Sequence, residues 1–307
     1  MSIKRKALIA LFIGAFGIGL APIFPKLAVE SEQYLPGGGI GIIATAFWRT
    51  ALASPLFWWL HLRSRSRNKT AIVTSKKVLF LPGIVFAADL AVWHKSFEYT
   101  TLANATLLVN LASIFVAVIS YLWLKERLGW TFALGAIIAL LGTGVLLGVD
   151  FQLGRDPLFG DALGLLTACF YTCYLLLLKM LRKTMSVSHI MAYTSTISAI
   201  GLLFIASVSG EQIVPSTVEA WLSVLVLAFI VHAGGQGLIV YAMAELPASF
   251  AGLGLLIQPL VTAVLSWILF AQVLSGPQIS GGVLILIGIT IAHRGTLYHS
   301  EKITRRR

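Results

Sequence analysis

Charge is scarce in this sequence. Only 11% of its 307 residues are Asp, Glu, Lys or Arg, against about 25% in an ordinary soluble domain. With 58% hydrophobic residues, that scarcity excludes a water-soluble globule. Acidic residues are fewer than basic ones, 12 against 23, and the formal net charge is +11. The excess does not point to nucleic acid, because the basic residues cluster in short segments between apolar runs and at both ends, as membrane flanks do. The two cysteines, Cys169 and Cys173, lie four apart in one apolar run. They exclude a disulfide framework and, with no histidine nearby, do not make a metal site. No Gly-x-x-x-x-Gly-Lys-Ser/Thr occurs, which argues against a pump driven by a nucleotide bound in that manner. Asn68-Lys69-Thr70 and Asn104-Ala105-Thr106 match the glycosylation pattern, but one falls in a loop expected in the cytoplasm and the other at a span end. No nucleophile, base and orienting group can be assembled. An enzyme is therefore not expected, nor is a cofactor.

What is present is a series of apolar runs of about the 20 residues that a bilayer span requires. Read between charge and turn punctuation, they give ten spans, at 6–28, 41–61, 77–97, 102–124, 128–149, 160–181, 187–208, 219–242, 247–271 and 276–293. The first follows Lys4, Arg5 and Lys6 but is too long for a signal peptide and ends in no small-residue cleavage site, so it is expected to remain in the fold. With the N-terminus inside, 19 of the 23 basic residues fall on the cytoplasmic side, and Lys26, Lys95 and Arg155 fall outside. Arg49 is the one basic residue well inside a span. This bias sets the orientation and predicts a multi-pass protein of the cell membrane, a bacterial inner membrane, with both termini cytoplasmic.

The chain also repeats itself. Adding 146 to a number in spans 4 and 5 lands on a like residue in spans 9 and 10: Ala105 and Ala251, Leu107 and Leu253, Ala117 and Ala263, Ser120 and Ser266, Gly135 and Gly281, Gly142 and Gly288. The loop Lys125-Glu126-Arg127 aligns with Ala271-Gln272-Val273, which has lost every charge. An odd number of spans per repeat inverts the second copy, so one loop faces the cytoplasm and its counterpart the outside, and the loss of charge follows. The expected fold is all-α, with ten transmembrane helices in two inverted five-helix repeats, 1–150 and 151–307. Secondary transporters use this design for alternating access.

Tyr241-Ala242-Met243-Ala244-Glu245-Leu246-Pro247-Ala248-Ser249, Gln258-Pro259 and the junction Leu124-Lys125-Glu126-Arg127-Leu128 resemble the EamA-type members of the drug/metabolite transporter superfamily. The resemblance covers essentially the whole chain. It implies a proton-coupled, exchanging or facilitative carrier of small metabolites, with a central cavity formed mainly by spans 1, 3, 4, 6, 8 and 9. Three positions depart from the family pattern: Gln258 stands where Glu often precedes the proline, Ala112-Ser113 where a proline is common, and Gln272 where the first copy has Glu126.

Ionisable groups inside spans cost free energy and mark function by default. Asp89 in span 3 and His232 in span 8 lie at similar depth, and the repeat offset pairs Asp89 with Gly235 and His232 with Phe86. The two are expected to meet in the cavity, as a charge pair following substrate or proton. The alternative reading is a structural contact between repeats, with Arg49, assigned to packing, neutralising Asp89. Trp93, Asn110, Gln236 and Gln258 continue the polar faces at helical spacing, and Tyr171 and Tyr174 with Trp93 suggest an aromatic wall. Pro22, Pro25 and Pro259 free the carbonyls of the residues four before them, which suggests bending during gating. Glycines in spans 5 and 10 suggest close helix contact, within one chain or between subunits, and a monomer or weak homodimer is expected. The expected partners are a small-molecule solute, the lipid bilayer and a proton. The solute is expected to be a small organic metabolite, an amino acid or related compound, moved outward. The competing hypothesis is an intramembrane enzyme or lipid-handling protein using Asp89 and His232 on a lipid headgroup.

Overall fold

The computed structural model describes residues 3–32, 39–65, 76–100, 102–126, 128–148, 156–270 and 274–304. Span 1 is α1 (Ile3–Ile18) and α2 (Ile23–Glu30), span 2 is α3 (Ile42–Arg65), and span 3 is α4 (Lys76–Ser96). Span 4 divides into α5 (Leu102–Asn110) and α6 (Ala112–Leu122), and span 5 is α7 (Trp130–Leu147). Spans 6 and 7 are α8 (Pro157–Leu181) and α9 (Val187–Val208). Span 8 runs as α10 (Val218–Val226), a π-helical stretch Leu227–Gln236 and α11 (Gly237–Ala242). Span 9 divides into α12 (Ala248–Gly254) and α13 (Ile257–Phe270), and α14 (Gly276–Thr304) carries span 10 well past its expected end. The junction expected between the repeats, at 150 and 151, lies outside the described residues.

Among the described residues nine helices are long and apolar enough to cross a membrane. The tenth, α3, has the length but is diluted by Arg49, His61 and Arg63. Together they make the ten-helix, twice-five bundle.

Helices of a membrane bundle approach closely where small residues meet. A Cβ on Gly135 of α7 would fall 2.5 Å from the carbonyl oxygen of Gly288 of α14, and one on Gly142 would fall 2.7 Å from that of Gly281. The glycine rows of spans 5 and 10 therefore serve packing within one chain.

At one end of the bundle two carboxylates join the repeats. Glu32, just beyond α2, accepts the N–H of Ile40 at 2.6 Å, those of Ser216 and Thr217, and the Thr217 hydroxyl. Glu211 accepts the N–H of Ala44 at 2.8 Å and of Ile43 at 3.3 Å, at the start of α3, where a negative charge complements the helix dipole. Removal from water raises the Glu211 carboxyl. It opposes ionisation of Glu32 as well, yet the donors from Ile40, Thr217 and Ser216 hold that carboxyl below the usual range. The Glu32 link therefore persists until the pH falls through this lowered value. A third carboxylate, Glu126, lies at the opposite end. The two ends are called below the Glu32 face and the Glu126 face.

Candidate functional site

Three of the spans are broken near their middles, and each break has a local cause. Pro22 has no N–H for the carbonyl of Ile18, which instead accepts from Ala21 at 2.8 Å. Pro259 likewise leaves the carbonyl of Leu255 to Gln258 N–H at 2.9 Å. Span 4 breaks at Leu111 without a proline: the Asn110 side chain donates to the Thr106 carbonyl at 2.7 Å, and the Ser113 hydroxyl donates to that of Asn110 at 2.8 Å. Side chains competing for backbone groups loosen the helix there. The breaks in spans 4 and 9 fall at repeat-related positions, 111 and 255–256, close to the 146 offset.

A cavity with a free volume of about 70 Å³ lies among these breaks, room for several waters. Ile18, Ala21 and Pro22 line it from span 1, and Phe86, Asp89, Leu90 and Trp93 from one face of α4. Thr106, Val109 and Asn110 of α5, Thr167 and Tyr171 of α8, Gln236 of the π-helical stretch, and Gln258, Pro259 and Thr262 of α13 complete the wall, with Arg49 of α3. The cavity thus takes in span 2 besides the six spans expected.

Of the residues singled out by sequence, Asp89, Trp93, Asn110, Gln236, Gln258 and Tyr171 face this cavity, as do Pro22 and Pro259. Pro25 lies in α2 and is not part of the lining. Tyr174 and His232 stand behind the wall. Phe86 stacks on Tyr174, with centroids 4.6 Å apart, and on His232 at 5.6 Å. His232 Nε2 pairs with the Ser195 hydroxyl at 2.9 Å, so the histidine faces span 7 rather than Asp89. The expected meeting of Asp89 and His232 is replaced by a stack of the two repeat-related residues, Phe86 and His232.

Sequence reasoning assigned Arg49 to packing; the structure places it at the cavity wall, its guanidinium 5.8 Å from the Phe86 ring centre. The available signal was its position as the one cation well within a span. Among the described residues no ion pair joins Arg49 to Asp89. Arg49 Nε, Asp89 Oδ1 and Trp93 Nε1 are buried with no hydrogen-bond partner. The amide nitrogens of Gln236 and Gln258 make no well-formed hydrogen bond either, although each lies near a tyrosine hydroxyl, of Tyr174 and Tyr171. Buried polar atoms are ordinarily satisfied, and the open valences of Arg49, Asp89 and Trp93 at one wall are what a polar ligand would close.

The halves of spans 4 and 9 are packed unequally. Toward the Glu126 face α6 lies against α12, and a Cβ on Gly252 would be 3.4 Å from the Val116 Cβ. Val116, Leu11, Phe250 and Leu253 are buried there. Toward the Glu32 face no comparable packing joins α5 to α13 among the described residues, and the cavity occupies that region. The Glu126 side is further tied by the Glu126 carboxylate, which accepts Ala248 N–H at 2.8 Å and the Ser249 hydroxyl at 2.6 Å, at the start of α12. Lys179 donates to the carbonyls of Met243 and Leu246 at 3.0 and 2.6 Å, in the turn just before α12. The sequence stretch from Tyr241 to Ser249 is thus held from both flanks.

Comparison with known proteins places this architecture. The profile of the EamA-like transporter family matches residues 5–148 and again residues 158–293. The pseudopaline exporter CntI of Pseudomonas aeruginosa is 23% identical over 268 residues, 86% of this chain and 89% of its own. The uncharacterized transporter YdfC of Bacillus subtilis is 28% identical over 191 residues, 62% of this chain and 61% of YdfC, so the chain spans about three-fifths of that relative's length. A crystal structure superposes with a TM-score of 0.74 at 16% identity, covering 95% of this chain and 99% of the other, a likeness of fold.

Proposed function

The chain belongs to the EamA-like transporter family, and from that premise we propose that it is a secondary transporter that moves a small organic solute across the cell membrane by alternating access through the cavity at Asp89. The observation that carries this reading is the unequal packing of spans 4 and 9: closed at α6 and α12, open at α5 and α13, with the cavity in the open half. Inverted repeats supply a second state in which the two halves exchange roles. With the N-terminus cytoplasmic, the Glu32 face is outside and the structure is the outward-open member of the pair. The relative named as an exporter supports outward movement. The enzymatic alternative draws no support from the geometry, because His232 pairs with Ser195 and has Phe86 between it and the cavity.

The orientation has a direct test. In a background without Cys169 and Cys173, Thr70→Cys should react with an impermeant thiol reagent only from the cytoplasmic side and Gly154→Cys only from outside; the reverse labelling would overturn the assignment. The transport reading is tested by a thermal-shift screen of metabolites on purified protein, followed by counterflow of each hit in vesicles. Saturable exchange above that of protein-free vesicles is expected. Hits that bind and never exchange would sink the proposal.

A further inference from the structure

Spans 3 and 8 are related by the 146 offset, yet they are wound differently over the same stretch. In span 8 residues Leu227–Gln236 are π-helical, and the N–H of Gly237 reaches back to the carbonyl of His232. The corresponding residues of span 3, 81–90, lie inside α4 as ordinary α-helix. A π turn within an α-helix is rare and frequently marks a functional site, so a difference of winding between two copies of one unit calls for a cause. Neighbours hold the π form in place. His232 Nε2 pairs with the Ser195 hydroxyl at 2.9 Å, and α1 comes so near that a Cβ on Gly235 would lie 3.1 Å from the Gly14 carbonyl oxygen. Span 3 has a weak point at the same level. Pro82 cannot supply an N–H to the carbonyl of Val78, and the carbonyl of Gly83 already accepts a hydrogen bond from the Ser198 hydroxyl at 2.8 Å.

The two stretches touch through one ring each. Phe86 and His232 hold the same place in their stretches and stack 5.6 Å apart. Behind them the offset also pairs Arg49, 5.8 Å from the Phe86 ring centre, with Ser195, bonded to His232. The row Arg49, Phe86, His232, Ser195 therefore has the same order from either repeat, and a change of winding that turns one ring displaces the other. Resting on the transport reading, we infer that the π winding passes from span 8 to span 3 when the carrier changes state: in the second state 227–236 is α-helical and 81–90 is π-helical. The exchange re-aims the residues at the ends of the two stretches, Asp89 and Leu90 in one and Gln236 in the other, all of which line the cavity. One stretch takes up the register that the other gives up, so each state carries one π winding.

Gly234 supplies the test. A Cβ there would meet, among the described residues beyond its own turn, only the carbonyl oxygen of Phe229, five residues back, at 3.3 Å. Gly234→Ala therefore strains the π winding of span 8. The equivalent pair in span 3 is Ala88 and the Gly83 carbonyl, and Ala88→Gly removes the same obstacle to π winding there. One variant adds a methyl and the other removes one, but both should move the carrier toward its second state, in which the cavity opens to the Glu126 face. The readout is labelling of Thr106→Cys, on the cavity wall, by an impermeant thiol reagent in solute-free vesicles, in a background without Cys169 and Cys173. Labelling from the Glu126 side should rise at least about fivefold in Gly234→Ala, as an overpacked contact costs. It should rise in Ala88→Gly as well and furthest in the double variant, while labelling from the Glu32 side falls. Hydrogen exchange of the backbone gives the second reading: in both variants 227–236 should become more protected and 81–90 less. Labelling shifts of opposite sign in the two variants, protection that changes in one stretch alone, or no labelling from the Glu126 side in any of these proteins would overturn the exchange of winding. Failure of the transport reading is distinct: labelling and protection that follow both substitutions, in a protein whose bound solutes are never exchanged, sink that reading and leave the rewinding in place.

Discussion

Asp89→Asn is expected to abolish transport and to lower thermal stability, and Arg49→Gln added to it is expected to restore the stability but not the transport. Asparagine keeps the shape of Asp89 and removes its charge. Arg49, 4% exposed beside it, then keeps a buried positive charge with no compensating carboxylate, and a guanidinium cannot shed its proton. An uncompensated buried charge costs several kcal/mol, enough to be plain in a melting curve and small enough that the bundle still inserts. Arg49→Gln alone should destabilise less, because a carboxylate left by itself can take up a proton. The double variant has no buried charge and should melt near the parent temperature. Transport should stay lost throughout, since both side chains line the cavity through which the solute is proposed to pass. The measurement is a double-mutant cycle read twice, once in melting temperature and once in vesicle uptake with and without a pH gradient. Full uptake by Asp89→Asn would show that the pair is structural. A parent whose uptake ignores the gradient would identify an exchanger or facilitator, in which Asp89 binds solute without carrying a proton.

How much of this was legible in the sequence varies with the physics involved. The spans were legible because a helix in lipid must be apolar for its whole length, and 187–208 coincides with α9. Breaks at Pro22 and Pro259 followed from the missing N–H. The break at Leu111 did not, because Asn110 and Ser113 act through side-chain hydrogen bonds whose geometry no residue pattern specifies. The π-helical stretch Leu227–Gln236 was equally invisible, since an i→i+5 register leaves no distinct periodicity over so short a run. The repeat offset paired His232 with Phe86, and the structure stacks the two rings 5.6 Å apart. What the alignment lacked was direction: depth along a span can be counted, but which neighbour a side chain turns toward is settled by packing. Arg49 was misread for the same reason. Span 2 is not among the six spans from which the resemblance builds the cavity, and only the folded bundle brings that one side chain to the wall.

The same offset makes the strongest prediction about motion. In the observed state α6 packs on α12, and a Cβ at Gly252 would lie 3.4 Å from that of Val116, close to the separation a disulfide requires. Subtracting and adding 146 turns Gly252 into position 106 and Val116 into position 262. Thr106 and Thr262 stand on α5 and α13 and now line the open cavity. If the repeats exchange conformations, the second pair should approach as the first one parts. With Cys169 and Cys173 removed, Val116→Cys with Gly252→Cys should cross-link readily and arrest transport until reduced. Thr106→Cys with Thr262→Cys should cross-link only as the carrier passes through its other state, trapping the cavity open toward the Glu126 face. Glu126, whose carboxylate caps α12, would on that reading set the balance between the two. Lys125 turns the chain toward that cap by taking the left-handed conformation, with φ of 54°. The second repeat has neutral Gln272 at the equivalent position, so the Glu126 face is the more firmly closed of the two. Glu126→Gln should make the ends alike. Losing a charged cap costs about 1–2 kcal/mol, which shifts the ratio of the two states by roughly five- to thirtyfold and should speed the Thr106→Cys with Thr262→Cys cross-link while slowing the other. Cross-linking of both pairs at rates that Glu126→Gln leaves unchanged would mean that spans 4 and 9 do not exchange roles, and alternating access by repeat exchange would have to be given up for this chain.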